Sequence, residues 1–315
     1  MKNVLLVLFA VFSIQIFAQE EIIPQEIKSH IQFLVSDKNA GRIPGGKENK
    51  RVVKYLVKEF KEIGLQSFTK KYKQKFEAQL KVDQGEKPSV KTWNLVGFIE
   101  GNDPELKNEY IILGAHYDHL GLGGPSAKSD KRGVVYHGAD DNASGVSALL
   151  EIAEKLSYHK KELKRSVLFI AFGAEEQGLL GSKYFVEHSL VPLNQIKLMM
   201  NMDMVGRLNA KKHVYVNGAG TFPGGKDFMK DLGKSLGLNP IVFKGSVGGS
   251  DHVSFYKKDI SVMGLHTGGH EQYHTPEDTI DLINLEGEKM ICEYIYQTIF
   301  SKATSTEKMY FINQD

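Results

Sequence analysis

The stretch FIAFGAEEQGLLGS, Phe169 to Ser182, begins as an unbroken apolar run and ends in two adjacent glutamates, Glu175 and Glu176, before glycine-rich text. An apolar run of strand length without polar alternation reads as a strand covered on both faces, the kind found in parallel sheets flanked by helices. Two like charges at the end of such a strand require something positive nearby. A buried carboxylate without a partner is costly, or it takes up a proton.

Outward from this stretch the pattern repeats. NLVGFIEG and YIILGAHYD precede it as strands, and SGVSALLEIAEKL lies between as a helix with Val146, Leu149, Leu150, Ala153 and Leu156 on one stripe. After it come the helix GSKYFVEHSL, the strands IKLMMNMDM and HVYVNG, the helix DFMKDLGKSLG, the strand ISVMGLHT and a last helix from Leu285 to about Ser301. Towards the N-terminus, Ile27, Ile31 and Leu34, and then Val52, Leu56, Phe60 and Ile63, recur at helical spacing, the second set stopped by Gly64. Residues 66–90 read as edge strands with solvated outer faces, the basic run TKKYKQK included. Buried strands interleaved with helices predict an α/β three-layer sandwich, with a mixed, mostly parallel central sheet flanked by helices. In such sheets, sites form beyond the carboxyl ends of the strands.

The acids and histidines obey that rule. His116 and Asp118 end one strand, Asp140 and Asp141 open a helix, Glu175 and Glu176 end the next strand, Asp203 ends another, and Tyr273 and His274 follow the last. Converging carboxylates with two histidines need cationic charge, and Arg207 is the one basic side chain within these motifs. A divalent metal meets the need better. Mixed imidazole and carboxylate ligation suits zinc and also accommodates manganese or cobalt. More than four candidate ligands points to two ions sharing a carboxylate.

GAHYDHLG, GADDNASGV, FGAEEQGLLGS, NMDMVGR and YHTPEDT, in this order and spacing, resemble the secreted di-zinc aminopeptidase family, whose relatives include glutamate carboxypeptidases and zinc glutaminyl cyclases. AGRIPGG, residues 40–46, resembles an N-terminal signature of the same family. The resemblance implies a fold of the zinc exopeptidase type and two zinc ions per chain. It implies that His116 and Asp203 bind one zinc, that Glu176 and His274 bind the other, and that Asp141 bridges them, often with a cis peptide bond after it. Glu175 would be the general base towards a bridging water, and Tyr273 would stabilise the oxyanion. Asp118, two residues past His116, would accept the other imidazole N–H and fix its tautomer. The substrates implied are peptides with a free N-terminus, and the reaction is removal of N-terminal residues. Complete ADD and AEE motifs argue against a glutaminyl cyclase and against a non-catalytic relative of the transferrin receptor type. The polar segment after Gln66 is short for the extra domain of glutamate-releasing carboxypeptidases.

Composition fits this reading. With 40 Lys and Arg against 38 Asp and Glu in 315 residues, no basic field recruits nucleic acid. Met1 and Lys2, an apolar run from Val4 to Phe17 and then Ala18 resemble a signal peptide spanning residues 1–18, which leaves residues 19–315 as one catalytic domain exported to the periplasm or outside. The run is short for a membrane span of about 20 residues, so no stable membrane insertion is expected after cleavage. Cys292 is the sole cysteine, so the fold relies on its core or on metals. His119, His137, His252, His266 and His270 read as pocket walls or turn residues. The pocket itself is expected from loops around Gly218–Gly225 and Gly245–His252. Oligomeric state has no signature in the sequence.

Overall fold

The computed structural model describes residues 21–245 and 248–314. The expected signal peptide lies outside the described residues. Among the described residues, eight strands form one mixed sheet: β1 Lys73–Gln79, β2 Ser89–Ile99, β3 Tyr110–His116, β4 Ser166–Phe172, β5 Ile196–Met202, β6 His213–Asn217, β7 Asn239–Val242 and β8 Val262–His266. Their order is β1-β2-β4-β3-β5-β8-β6-β7. The central strands β4, β3, β5 and β8 are mutually parallel, while β1, β2 and the β6–β8 pairing are antiparallel. This is the mixed, mostly parallel sheet that the sequence predicts.

Period-two alternation sends neighbouring residues to opposite faces and so divides the core. Ile111 and Leu113 of β3 join Val167, Phe169 and Ala171 of β4 in one apolar cluster. Ile112, Leu168, Ile170 and Phe172 belong to the other. On the first face pack helices α1 Pro24–Leu34, α2 Lys47–Glu62, α3 Gly145–Tyr158 and α7 Leu285–Thr304. Helix α4, Leu180–Glu187, covers the second face with the short α6, His252–Tyr256, while α5, Gly225–Ser235, packs beside β7. The apolar stripe predicted for α3 is buried in full, from Val146 to Leu156.

Edge strand β1 alternates as predicted, with Phe76 and Ala78 inward and Lys75 and Glu77 outward. Two elements escape the sequence reading. Strand β7 has only four residues and contains Pro240, and α6 is little more than one turn; neither is long enough to show a period. Because the four central strands are parallel, their carboxyl ends open at one edge of the sheet. His116, Glu175, Glu176, Asp203 and His266 all stand at that edge.

Candidate metal centre

His116 is the last residue of β3 and is buried. Its Nδ1 lies 3.2 Å from the Asp118 carbonyl oxygen, which can accept the N–H and leaves the Nε2 lone pair free. Nε2 faces Asp141 Oδ1 at 3.2 Å and Asp203 Oδ1 at 3.4 Å. Asp141 turns its other oxygen, Oδ2, to His274 Nε2 at 3.0 Å. The same Nε2 is 3.2 Å from Glu176 Oε2, and His274 Nδ1 donates to the Ser126 carbonyl at 2.7 Å. His116 and His274 are therefore held in the same way, each with one nitrogen on a backbone carbonyl and the other aimed at carboxylates. Asp141 stands between them, and the Asp141–Asn142 peptide is cis.

The geometry brings all five proposed ligands together and adds a histidine that the sequence reading set aside. Donor atoms of His116, Asp141 and Asp203 form one group within 4.8 Å, and those of His119, Asp141 and Glu176 form another. His119 Nδ1 is 2.9 Å from Glu176 Oε1. Two imidazoles thus crowd Glu176. His274 touches both carboxylates with a nitrogen whose tautomer is fixed from behind, whereas His119 engages the Glu176 oxygen that points away from His274. A donor at that place orients Glu176 and leaves Oε2 to the centre.

Asp118 behaves differently from the expectation. Its carboxylate is 3.9 Å from His116 Nδ1, too far for a hydrogen bond. It accepts instead from the backbone N–H of Glu175 at 2.9 Å and of Glu176 at 3.4 Å. Past β3 the chain leaves extended form, and two backbone donors draw the carboxylate to the glutamate turn. Asp118 thus holds the turn after β4, while its carbonyl holds His116.

That turn separates the two glutamates. Ala174 adopts a left-handed conformation at φ 60° and reverses the chain before Glu175. Glu175 then lines the cavity, while Glu176 is buried against His119 and His274. Left-handed backbone recurs at Met204, beside Asp203, and at His274 itself. Such residues cluster where the surrounding structure over-determines a site. Tyr273 stacks on His274 at 3.8 Å between ring centroids and also borders the cavity.

Protonation reports how much positive charge the cluster requires. Burial disfavours charge on His274, yet hydrogen bonds to Asp141 and Glu176 push its pKa up to about 10. Burial likewise opposes charge on His116, and Asp203, Glu175 and Asp141 overcome it to hold the imidazole well above its ordinary range. For Asp141, burial is outweighed by hydrogen bonds from His116 and His274, and its carboxyl falls well below the usual range. Glu175 goes the other way. Burial first, then Glu176, Asp203 and Asp251, raise it well above the carboxylate range against the pull of His116. A divalent cation fits this donor set and would supply the positive charge that the carboxylates require.

The residues behind the centre explain why Asp141, and not Asp140, reaches it. Asp140 accepts from Gly206 N–H at 2.7 Å and Ser144 Oγ at 3.1 Å, and it contacts His270 Nε2 at 3.2 Å. Asp278 accepts from the backbone N–H groups of Asp140 and Asp141, both at 3.0 Å, and from Arg207 at 2.8 Å. Arg207 also donates to Gln272 at 2.7 Å, so it braces Asp278.

The cation that sequence reasoning missed is Arg42, in the AGR motif. Its fully buried guanidinium donates to the carbonyls of Tyr117 at 2.9 Å, His137 at 2.6 Å, Gly138 at 3.0 Å and Leu34 at 3.2 Å. It ties the His116–Asp118 segment to the loop that leads into Asp140 and Asp141. AGRIPGG marks this loop in the sequence, but nothing local shows which distant carbonyls its arginine meets.

The cavity has a volume of about 400 Å³. His116, Asp141, Glu175, Asp203, Tyr273 and His274 form one wall, and Gly248, Gly249, Ser250 and His252 line another part. The expected contribution from Gly218–Gly225 is absent among the lining residues, whose place is taken by Asn217 and the segment after β8.

Comparison with known proteins bears on the family and the fold. The chain is 32% identical over 212 residues to aminopeptidase YwaD of Bacillus subtilis (strain 168), a stretch covering 64% of this chain and 42% of that protein. The chain thus spans less than half the length of the curated relative it matches. Its fold is that of BSAP, a zinc aminopeptidase from Bacillus subtilis, with a TM-score of 0.72 at 18% identity over 93% of this chain and 98% of that one. It is equally that of Porphyromonas gingivalis glutaminyl cyclase, with a TM-score of 0.73 at 22% identity over 89% of this chain and 99% of the other. Residues 94–299, which hold every proposed ligand, match the model of peptidase family M28, and the chain belongs to that family.

Proposed function

We propose that the chain is a zinc-dependent aminopeptidase that releases N-terminal residues from peptides. The observation that carries this reading is Asp141, whose two carboxylate oxygens face two separate donor groups while Glu175, bound to neither, borders the cavity between them. His116 and Asp203 would hold one zinc, Glu176 and His274 the other, and Asp141 both. Zinc held there would polarise the scissile carbonyl and lower the pKa of water towards about 7.

The chain's own residues do the rest. Glu175, which borders the cavity and is no ligand in this reading, takes a proton from the attacking water and delivers it to the departing amine nitrogen. Burial and the surrounding carboxylates raise the Tyr273 hydroxyl, so it stays protonated and donates to the oxyanion. Asp118 fixes the backbone of Glu175 and thus the reach of the base. The carboxylate-rich wall attracts a free α-ammonium group, which makes the reaction N-terminal.

Digestion of a mixed peptide library by zinc-loaded protein, with metal analysis, tests the reading. Stepwise N-terminal loss with two zinc ions per chain is expected. Internal or C-terminal cleavage would overturn it, and one zinc per chain with pyroglutamyl products would replace it by a cyclase. Export is part of the same proposal: the exported protein should begin at Gln19 by mass spectrometry, with residues 19–315 as one catalytic domain.

A further inference from the structure

Away from the carboxylates, the cavity wall is built from neutral polar side chains: Asn201, Asn217, Ser250, His252 and His266. Asn201, on β5, is fully buried. Its Nδ2 donates to Ser250 Oγ at 2.9 Å, while its Oδ1 has no partner among the described residues. His252, the first residue of α6, is 3% exposed, and neither ring nitrogen has a partner among the described residues. Its ring sits where Gly264 of β8 leaves room. A Cβ at Gly264 would lie 2.6 Å from Cε1 of that ring.

The state of the two histidines follows from their surroundings. Burial holds His252 down at about 4 against the opposing pull of Asp203, so the ring is neutral at pH 7 and offers one donor and one acceptor. Burial also lowers His266, whose Nδ1 accepts from the Gly268 N–H at 3.2 Å. Its proton is therefore on Nε2, which is a donor. The ring is fixed by stacking on Tyr215 at 4.9 Å between centroids. Lys128, the one ammonium bordering the cavity among the described residues, sits 4.1 Å over the Tyr273 ring.

This wall therefore offers a carbonyl acceptor and imidazole donors, with no charge. A carboxamide complements it: its oxygen accepts from imidazole N–H, and its NH₂ donates to Asn201 Oδ1. An aliphatic side chain would strip water from these groups and satisfy none of them. A carboxylate brings no donor for Asn201 and meets the field of Asp203 and Glu175, and an ammonium brings no acceptor for the imidazole N–H groups. We propose that the cavity selects peptides whose N-terminal residue is glutamine or asparagine, through Asn201, His252 and His266. This rests on the aminopeptidase reading above and narrows its substrate class.

The test uses zinc-loaded full-length protein and tripeptides Xaa-Ala-Ala, with free amino acid, dipeptide and pyroglutamyl peptide quantified by mass spectrometry. Methionine and norleucine serve as comparators close to glutamine in size. The expected result is a kcat/KM for the glutamine or asparagine peptide at least tenfold above those for methionine, norleucine and leucine. Equal or faster release of methionine or leucine would overturn the inference and leave the aminopeptidase reading standing. No N-terminal release from any peptide, or pyroglutamyl peptide without free amino acid, would overturn both. Asn201→Leu should reduce the glutamine-to-methionine ratio at least fivefold, and His252→Phe should reduce it independently. An unchanged ratio in both folded variants would sink the assignment of these residues, and the wild-type profile decides the substrate class even if neither variant folds.

Discussion

Glu175 and Glu176 share a peptide bond and almost nothing else. Glu176 contacts His119 and His274, whereas Glu175 borders the cavity and is held through its backbone by Asp118. Replacing Glu175 with glutamine should leave zinc content unchanged and lower kcat by about 10²–10⁴, the usual contribution of a general base. Glu176→Gln should lose zinc affinity first, read by competition with a chelator. An exchange of the two phenotypes would show that the roles are reversed. Arg42 makes a second residue-scale case. Its guanidinium donates to three buried carbonyls and one half-buried one and remains charged, because burial lowers its pKa only to about 10 while Asp141 and Asp118 oppose the shift. Arg42→Ala takes the donor from the Tyr117 and His137 carbonyls, while Gly138 keeps the Ala143 N–H and Leu34 the Asn39 amide, and should cost roughly 3 kcal/mol or more in urea unfolding. Arg42→Lys should recover only part of this, because a single ammonium cannot span the fork.

Helix α7 carries the element-scale case. Glu288 lies in its first turn, wholly buried, with Oε1 2.5 Å from Ser147 Oγ of α3. Burial, with help from Asp140 and Glu151, raises its carboxyl well above the usual range despite the Ser147 hydrogen bond. The folded chain thus keeps a proton that the unfolded chain releases above about pH 4.3. The stability this contributes is complete below that pH and is lost as pH rises through the folded-state value. Glu288→Gln keeps a hydrogen-bonding group without the titration. Thermal melts should show little difference between variant and wild type near pH 4, and an advantage for the variant that grows towards pH 8. Long periodic elements such as α2, α3 and α7 were legible because their apolar stripes repeat over several turns. Strand β7 and helix α6 were not, since their placement comes from pairing with β6 and from Phe255 entering the second core cluster.

At the scale of the whole molecule, the parallel sheet collects Asp141, Glu176 and Asp203 with His116, His119 and His274 at one edge. An ion bound there stabilises the folded state by mass action, by about 2.7 kcal/mol when free zinc is a hundredfold above its dissociation constant. Chelation should therefore lower the melting temperature by several degrees, with recovery when zinc is restored; an unchanged melt would count against a bound ion. The sequence by itself determined the layers, the sheet edge that carries the chemistry and the family, because buried strands, amphipathic helices and motif spacing are local properties of the chain. Only the tertiary structure decided that Asp118 serves the glutamate turn, that His119 stands against Glu176, that Arg207 braces Asp278 and that Arg42 lies beneath the centre. Those contacts join residues from 57 to 96 positions apart. No local periodicity records a hydrogen bond made across such distances, and its geometry exists only once the sheet has assembled.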